Sequence, residues 1–487
     1  MSDATLSPEL VSINSLIGRV QAALRAWNKA AAPGRELLDD LLLYQNAREE
    51  VEKRSNAVVV PRSVTNRVLE DALDQLEQQN AKYARLLRLR FVEGKTMQIS
   101  SQEINWTIDQ VRHHQRQAIE QLAEILGLDE ERCRRERVDA IESTFPPPTY
   151  TQLFGVEEIQ RKLVNEILSK ERSWVLALTG IGGIGKTALA DSVTRIVLQH
   201  FHFHKFVWLR VDAKFLGQEL RDARTSIDIL ANALALRIAP DAVGNVTIDE
   251  RLRIVRQILK DQPHFIVIDN LETIANTALM LRQLQDWSNP SKFMLTTRIK
   301  PTGEASVYTH QTAELNQLNA AELLRQHALA SGQHDLATFT NEDANRVYDV
   351  VGGNPLAIKM VVSLATTMPL PLILEDVSRG HTTEVGAMYD RIYQRAWNAI
   401  SPAQRMLLRA MPVVSESGAT VRHLQAASNL SDSELWPAIN ELVSRSLVEL
   451  RGGAWDRRYG LHRLTEKFLQ TNINRWEDDD EEEELAL

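Results

Sequence analysis

The chain has 487 residues, of which 44% are hydrophobic and 25% charged, with a net charge of −9, so it can bury several cores and is not globally disordered. A single cysteine, Cys133, excludes an intramolecular disulfide and any cysteine metal cluster, and it predicts a reducing, cytoplasmic location. The apolar runs are too short to span a bilayer and the first residues lack a secretory signal pattern, so we expect no membrane partner.

The first 145 residues show helical periodicity. Residues 1–60 predict a helical N-terminal segment, and residues 61–145 predict a helix-turn-helix domain. In the second segment an arginine-rich helix ends near Gly94, a short helix follows, and Thr107 caps a longer helix with Gln110 at the capping-box position. The Glu-Gly-Lys-Thr turn and the Thr-x-x-x-Val-Arg start of the longer helix resemble region 4 of bacterial sigma factors.

Charge is the reason to consider DNA as a partner of this domain. Between Ala81 and Ile119 there are seven Lys or Arg and three acidic residues. Basic and imidazole side chains suit phosphate contacts and some base contacts. The DNA-contact candidates on the longer helix are Arg112, His113, His114 and Arg116. Acidic residues return just after it, so two interpretations stay open: residues 61–128 contact duplex DNA or RNA polymerase, or they contact only another protein.

A glycine-rich loop follows a predicted strand at Trp174–Leu178 and precedes a helical pattern. Glycines allow the backbone to curl so that its N–H groups face an anion, and the helix N-terminus adds partial positive charge. In such a loop the lysine reaches the β- and γ-phosphates and the threonine places a hydroxyl on Mg²⁺. The loop therefore predicts a bound purine nucleotide with Mg²⁺. Its candidate residues are Gly180, Gly182, Gly183, Ile184, Gly185, Lys186, Thr187 and Ala188.

A second apolar strand, Phe265–Ile268, ends in an acidic residue. Such a strand brings a carboxylate to Mg²⁺ or its waters, and Asp269 is the candidate. We expect Glu272 to orient the attacking water, with Asn270 as a polar helper.

A third strand, Phe293–Leu295, ends in two threonines and Arg298. The carboxyl ends of parallel strands face the ligand crevice, so Arg298 can sense the γ-phosphate. Strands alternate with helices from Trp174 to Arg298, which predicts a doubly wound parallel sheet, the α/β fold of P-loop NTPases.

Taken together, these motifs resemble the STAND class of P-loop ATPases, specifically its NB-ARC/AP-ATPase group. Two further motifs follow the three above in the family's order, Gly352–Ala357 and Tyr459–Leu464. The resemblance implies ATP or ADP as the ligand. It places Phe154 and Val156 near the base, packs Pro355 on the adenine and brings His462 to the β-phosphate of ADP from a winged helix.

Two positions depart from the family pattern. Val156 stands where the family usually has an arginine, which implies a backbone contact near the adenine. Arg463 stands where an aspartate usually supports the lid histidine, so the support of His462 differs here.

The resemblance also divides the rest of the chain. We expect a P-loop nucleotide-binding domain at 150–311, a small helical domain at 312–375, a winged-helix domain at 376–475 and an acidic disordered tail at 476–487. Pro146–Pro148 mark the preceding boundary, because consecutive prolines stiffen the chain and end a helix.

The family likeness implies a regulatory switch, which is closed with ADP and open and self-assembling with ATP. A slow ATPase reaction would reset it, an unidentified inducer or sensor partner would trigger it, and the helix-turn-helix would regulate transcription or signalling. A bacterial, NLR-like immune protein with a protein-interaction N-terminus is the alternative. An ATP-driven motor that remodels nucleic acid is a third reading, against which the predicted winged-helix lid argues.

Overall fold

Helices dominate the described part of the first 143 residues, and a parallel sheet lies at the centre of the region that follows. The computed structural model describes residues 13–29, 36–54, 60–171, 173–180, 182–211, 223–242, 244, 246–271, 277–297, 301, 307–379, 393–394, 396–398, 400–414, 418–444, 447–451, 453, 455–461, 465 and 469. The chain divides into two units, residues 1–143 and 144–487. No helix within these described ranges is long and apolar enough to cross a membrane.

The first unit is built from helices around one apolar core. Its elements are α1 (Ile13–Arg25), α2 (Leu42–Arg54), α3 (Pro61–Gln79), α4 (Ala81–Leu87), a π-helical turn (Arg88–Val92), α5 (Met97–Ile104) and α6 (Ile108–Glu142). Leu16 and Tyr44, from α1 and α2, lie in the same buried cluster as Leu69 and Leu122. The sequence boundary expected at residue 60 therefore does not separate two cores.

The start of α6 follows the sequence prediction. The Thr107 hydroxyl accepts a hydrogen bond from the Gln110 backbone N–H at 3.2 Å, and the Gln110 side chain accepts from the Thr107 N–H at 2.8 Å. The capping box is confirmed. Before it, Asn105 ends α5 in the left-handed conformation with φ of 57°, so three residues turn the chain between the two helices.

Seven strands lie in the described part of the second unit. They are β1 (Val175–Thr179), β2 (Lys205–Arg210), β3 (His264–Asp269), β4 (Lys292–Thr297), β5 (Val307–Gln311), β6 (Val448–Arg451) and β7 (Arg458–Leu461). Its first helices are α7 (Glu157–Leu168), α8 (Lys186–Leu198), α9 (Ala223–Ile238), α10 (Ile248–Asp261) and α11 (Thr277–Trp287). Helices separate β1, β2, β3 and β4 along the chain, with both α9 and α10 between β2 and β3.

The five-stranded sheet has the order β2-β3-β4-β1-β5, and every neighbouring pair is parallel. Every residue of β1, β3 and β4 is buried, as expected for a parallel sheet with helices on both faces. The doubly wound parallel sheet is confirmed. Because β4 lies between β1 and β3, the ends of three strands meet at one edge.

More helices follow the sheet. They are α12 (Gln317–Ala330), α13 (His334–Ala337), α14 (Asn341–Val351), α15 (Pro355–Leu364), α16 (Leu370–Arg379), α17 (Pro402–Val414), α18 (Val421–Ser428) and α19 (Asp432–Ser444). We call α12 to α15, residues 317–364, the helical segment.

The helices that follow β5 share one core. Leu324 of α12, Val361 of α15, Leu407 of α17 and Leu461 of β7 belong to a single buried cluster. The expected boundary between residues 375 and 376 thus lies within one continuous core. The antiparallel hairpin of β6 and β7 closes this part of the chain, and Ala419 pairs with Tyr459 beside it.

Candidate functional sites

The glycine-rich loop connects the buried strand β1 to α8. Gly183 and Gly185 have φ of 76° and 97°, in the left-handed region that side chains disfavour, so glycine is required at both positions. Gly185 is the N-cap of α8, whose first residue is Lys186. The ammonium of Lys186 is buried and donates to the Gly180 carbonyl at 2.9 Å. The loop therefore has the strand–loop–helix context and the lysine that phosphate binding needs.

Asp269 lies at the end of β3 and is 5% exposed. Two hydroxyls donate to its Oδ1 atom, that of Thr187 at 2.7 Å and that of Thr296 at 2.6 Å. Thr296 is the penultimate residue of the intervening strand β4, so it links the β3 carboxylate to the sheet beside the glycine-rich loop. This contact fixes the orientation of Asp269.

The donor set fits Mg²⁺, which prefers carboxylate, hydroxyl and water oxygens. Thr187 and Asp269 are the residues that would hold it, since their oxygens already lie 2.7 Å apart. Thr187 is exposed at the start of α8, where a nucleotide's phosphates can reach it.

Asn270, the expected polar helper, is held at the ends of three strands. Its φ is 78°, its backbone N–H donates to the Thr296 hydroxyl at 2.8 Å, and its side-chain amide donates to the Val211 carbonyl at 2.7 Å. It thus ties the ends of β2, β3 and β4 together. Glu272, Arg298 and His462 lie outside the described residues.

The helical segment reaches the loop directly. The side-chain amide of Asn354 donates to the Gly182 carbonyl at 3.1 Å, and its Oδ1 atom accepts from the Leu356 N–H at 3.0 Å. Pro355 is half-buried at the first position of α15, next to this contact. The role of Asn354 was missed at the sequence level, although an asparagine before proline marks a helix start.

Glu314 and Leu315, which precede α12, hold the turn that carries Asn354. The Gly353 N–H donates to the Glu314 carboxylate at 3.1 Å, and the Leu315 N–H donates to the Gly353 carbonyl at 2.9 Å. A Cβ on Gly353 would lie 2.0 Å from the Leu315 carbonyl oxygen, so this turn requires glycine.

Phe154 and Val156 are the candidates for contact with the adenine base, and Phe154 also contacts the helical segment. Phe154 is buried in the cluster that contains Leu323 and Leu324 of α12. Gly155 has φ of 64° and lies against the Asn319 amide, and Val156 precedes α7. The structure thus connects Phe154 to the segment that carries Pro355, and it places Val156 at the N-cap of α7.

The segment that enters the second unit is fixed to α8, the helix that follows the loop. Tyr150 donates to the Asp191 carboxylate at 2.7 Å, and Arg195 contacts the same oxygen at 2.9 Å. Burial and the nearby Asp191 raise the pKa of Tyr150, so it stays a hydrogen-bond donor at neutral pH. Arg195 also donates to the Pro146 carbonyl at 3.3 Å.

In the first unit, the four candidates on α6 differ in accessibility. Arg112 and Arg116 are exposed and pair with Asp109 and Glu120 on the same helix. His113 is exposed as well. His114 instead packs on Trp106, with ring centroids 4.6 Å apart, and its Nδ1 atom lies 3.1 Å from the Tyr83 hydroxyl.

Ion pairs neutralise the basic stretch that suggested DNA. Arg88 pairs with Glu70, Asp74 and Glu77 of α3, which lie outside the interval counted along the sequence. Arg85 and Lys95 pair with Glu93 and Glu103. Together with Asp109 and Glu120, seven carboxylates pair with five of the seven cations between residues 81 and 119, namely Arg85, Arg88, Lys95, Arg112 and Arg116. Residues 1–143 contain 20 Lys or Arg and 23 Asp or Glu, a net charge of −3.

Residues 155–333 match the family model of the NB-ARC domain. Regulatory protein AfsR of Streptomyces griseus is 26% identical over 352 residues, which cover 70% of this chain and 34% of that protein. Disease resistance protein RPP8 of Arabidopsis thaliana is 37% identical over 82 residues, 17% of this chain and 9% of that protein. The matched regions span about a third or less of these relatives.

Among solved structures, a STAND protein with a tetratricopeptide repeat sensor from Pyrococcus horikoshii aligns with a TM-score of 0.43 and 18% identity. The alignment covers 67% of this chain and 43% of that chain.

Proposed function

We propose that this chain, a STAND-class P-loop ATPase whose residues 155–333 form an NB-ARC domain, is a nucleotide-dependent switch. The observation that carries the proposal is the contact between the helical segment and the phosphate-binding loop, through Asn354 and Gly182. A ligand in this loop touches two parts of the unit at once. Binding of ADP or ATP can therefore favour different arrangements, to the extent that their affinities for those arrangements differ.

The proposed switch is reset by slow hydrolysis of ATP at this site. Lys186 would bind the β- and γ-phosphates, and Thr187 and Asp269 would hold Mg²⁺, which neutralises phosphate charge when bound. Thr296 positions the Asp269 carboxylate. Glu272 and Arg298 keep their proposed roles as water-orienting residue and γ-phosphate sensor.

The C-terminal helices and hairpin are proposed to form the lid. Helices α17, α18 and α19 followed by β6 and β7 have the order of a winged helix, and they share a core with the helical segment. That shared core supports the proposal that the lid and the helical segment move together as one rigid body. His462, directly after β7, would contact the β-phosphate of ADP and Pro355 the adenine.

The first unit is proposed to be the output, and its charges favour a protein partner over bare DNA. Five of its seven cations between residues 81 and 119 are paired with carboxylates, and its net charge is −3, which leaves little attraction for phosphates, whose neutralisation dominates DNA affinity. The relatives named as a regulatory protein and as disease resistance proteins support signalling, either in transcription or in defence. RNA polymerase or another protein fits this surface better than duplex DNA alone.

Light scattering coupled to size-exclusion chromatography tests the switch. With ADP and Mg²⁺ we expect a monomer, and with a non-hydrolysable ATP analogue we expect an oligomer of the same chain. An identical mass in both states would contradict a switch that works by assembly. Duplex DNA added to either state, at 50 and 200 mM salt, tests the output, since DNA binding falls steeply with salt.

A further inference from the structure

Asn354 makes contacts of two kinds, and they serve different purposes. Its side-chain oxygen accepts from the N–H groups of Leu356 and Ala357, at 3.0 and 3.4 Å, which caps α15. Its side-chain nitrogen donates to the Gly182 carbonyl of the phosphate-binding loop, at 3.1 Å. Asn354 is 1% exposed; its capping contacts are buried, and its contact with Gly182 is partly buried. A cap alone needs only the oxygen.

The direction of the Gly182 carbonyl decides where a neighbouring donor points. A trans peptide is planar, and its C=O and N–H point in opposite directions. The Gly182 carbonyl faces Asn354, so the Gly183 N–H of the same peptide points away from it, to the other side of the loop. Phosphate binding by such a loop depends on backbone N–H groups held toward the anion.

Packing holds Gly183 against the same helix. A Cβ at Gly183 would lie 2.8 Å from the Leu356 Cβ and 3.1 Å from the Asn354 oxygen. The loop and the first turn of α15 are therefore in direct contact at two successive residues. The Glu314 carboxylate in turn holds the Gly352–Asn354 turn in place by accepting from the Gly353 N–H.

We infer that Asn354 is a positioning residue for nucleotide binding, which orients the Gly182–Gly183 peptide so that the Gly183 N–H is preset to donate to phosphate. The helical segment thereby senses whether the loop is in its phosphate-binding conformation. This inference rests on the nucleotide site proposed above. It concerns a side chain on a different segment from the loop, and it assigns a role to the donor nitrogen that helix capping does not need.

A serine at position 354 separates the two roles. Asn354→Ser keeps an uncharged N-cap, because serine caps helices about as well as asparagine, but its short side chain cannot reach the Gly182 carbonyl. Asn316 provides the matched control. It caps α12 by accepting from the Asn319 N–H at 2.9 Å, and Asn316→Ser changes a cap without changing the loop.

The experiment measures the release rate of a fluorescent ADP analogue from the full chain, with thermal unfolding as the second readout. We expect Asn354→Ser to speed release about tenfold, since it removes the side-chain donor that orients the Gly182–Gly183 peptide. Its unfolding temperature should stay within about 2 °C of the wild type. Asn316→Ser should release ADP at the wild-type rate.

Release from Asn354→Ser at the wild-type rate would overturn the inference while leaving the nucleotide site intact. Equal acceleration by both serine variants would also overturn it, because the effect would then belong to helix capping. Failure of the wild-type chain to bind the ADP analogue would overturn the proposed nucleotide site itself.

Discussion

The sequences of the phosphate-binding loop and of the basic stretch in the first unit both suggest a phosphate ligand. In the structure, the groups of the loop remain placed to bind one, whereas arginines of the basic stretch are paired with carboxylates. In the loop, glycine backbone, Lys186 and Thr187 are contiguous in sequence and meet Asp269 at the end of a neighbouring strand. In the basic stretch, carboxylates from α3 and α6 pair with the arginines. Chemistry that rests on a contiguous loop can be identified from sequence, whereas surface charge depends on partners that folding brings from elsewhere.

We expect the largest effect when the cation of the loop, Lys186, is removed by substitution. Lys186→Ala should weaken ADP binding about 100-fold, because a charge-assisted hydrogen bond to phosphate contributes roughly 1.5–3 kcal/mol. Calorimetry of ADP binding measures it. Lys162→Ala is the control, since Lys162 is exposed on α7 and pairs only locally with Glu158. If the Lys186→Ala variant retained ADP through purification, the assignment of this loop as the nucleotide-binding site would be wrong.

Acid should destabilise the second unit, and the buried His264 should account for one part of the loss, beside His327, whose pKa burial also lowers to about 4. Burial lowers the pKa of His264 to about 4 from the ordinary 6.5. The neutral form is favoured in the fold, so stability is full above pH 6.5 and falls as the pH drops from 6.5 toward 4. Between pH 7 and pH 5 the loss should be about 2 kcal/mol in urea unfolding.

His264→Gln tests this assignment, because the glutamine does not titrate. The variant can be less stable at pH 7, but its stability should change less between pH 7 and pH 5. His264 lies at the start of β3, whereas Asp269 ends that strand. The same pH dependence in the variant would show that another group is responsible.

Packing of the loop on α15 can be tested with two glycines. Gly183→Ala should lower the free energy of unfolding by about 1–3 kcal/mol, since the methyl group would meet Leu356 at 2.8 Å and the φ is positive. Gly185→Ala has the same kind of φ but no atom within 4 Å of the added Cβ. Comparison of the two urea unfolding curves isolates the contact. Equal losses would mean that backbone strain alone explains both.

The smallest expected effect concerns the affinity of the first unit for DNA. The double variant Asp74→Asn, Glu77→Gln removes two carboxylates that neutralise Arg88. We expect little change in unfolding, because exposed pairs contribute about 0–1 kcal/mol, but a few-fold gain in affinity for duplex DNA at low salt. Fluorescence anisotropy with labelled DNA measures the gain. Tight, salt-sensitive DNA binding by the wild type would contradict the neutralised surface.

The sheet and the loop could be predicted because strand burial and glycine-rich turns are local signals. The capping box at Thr107 is local in the same sense. The pairing of Arg88 with α3 and the contact of Asn354 with Gly182 could not be predicted, because each joins residues far apart in sequence through tertiary packing. His114 looked like a surface residue beside Arg112, but its ring packs on Trp106 across the turn.

The role of the nucleotide is tested most directly by hydrogen exchange of the full chain with ADP and with a non-hydrolysable ATP analogue. The peptides to follow cover the phosphate-binding loop, residues 182–187, and the first turns of α15, residues 354–364. A switch predicts that both peptides change protection together when ADP is replaced by the ATP analogue, and that Asn354→Ser uncouples them. Identical protection in the two nucleotide states would contradict the account.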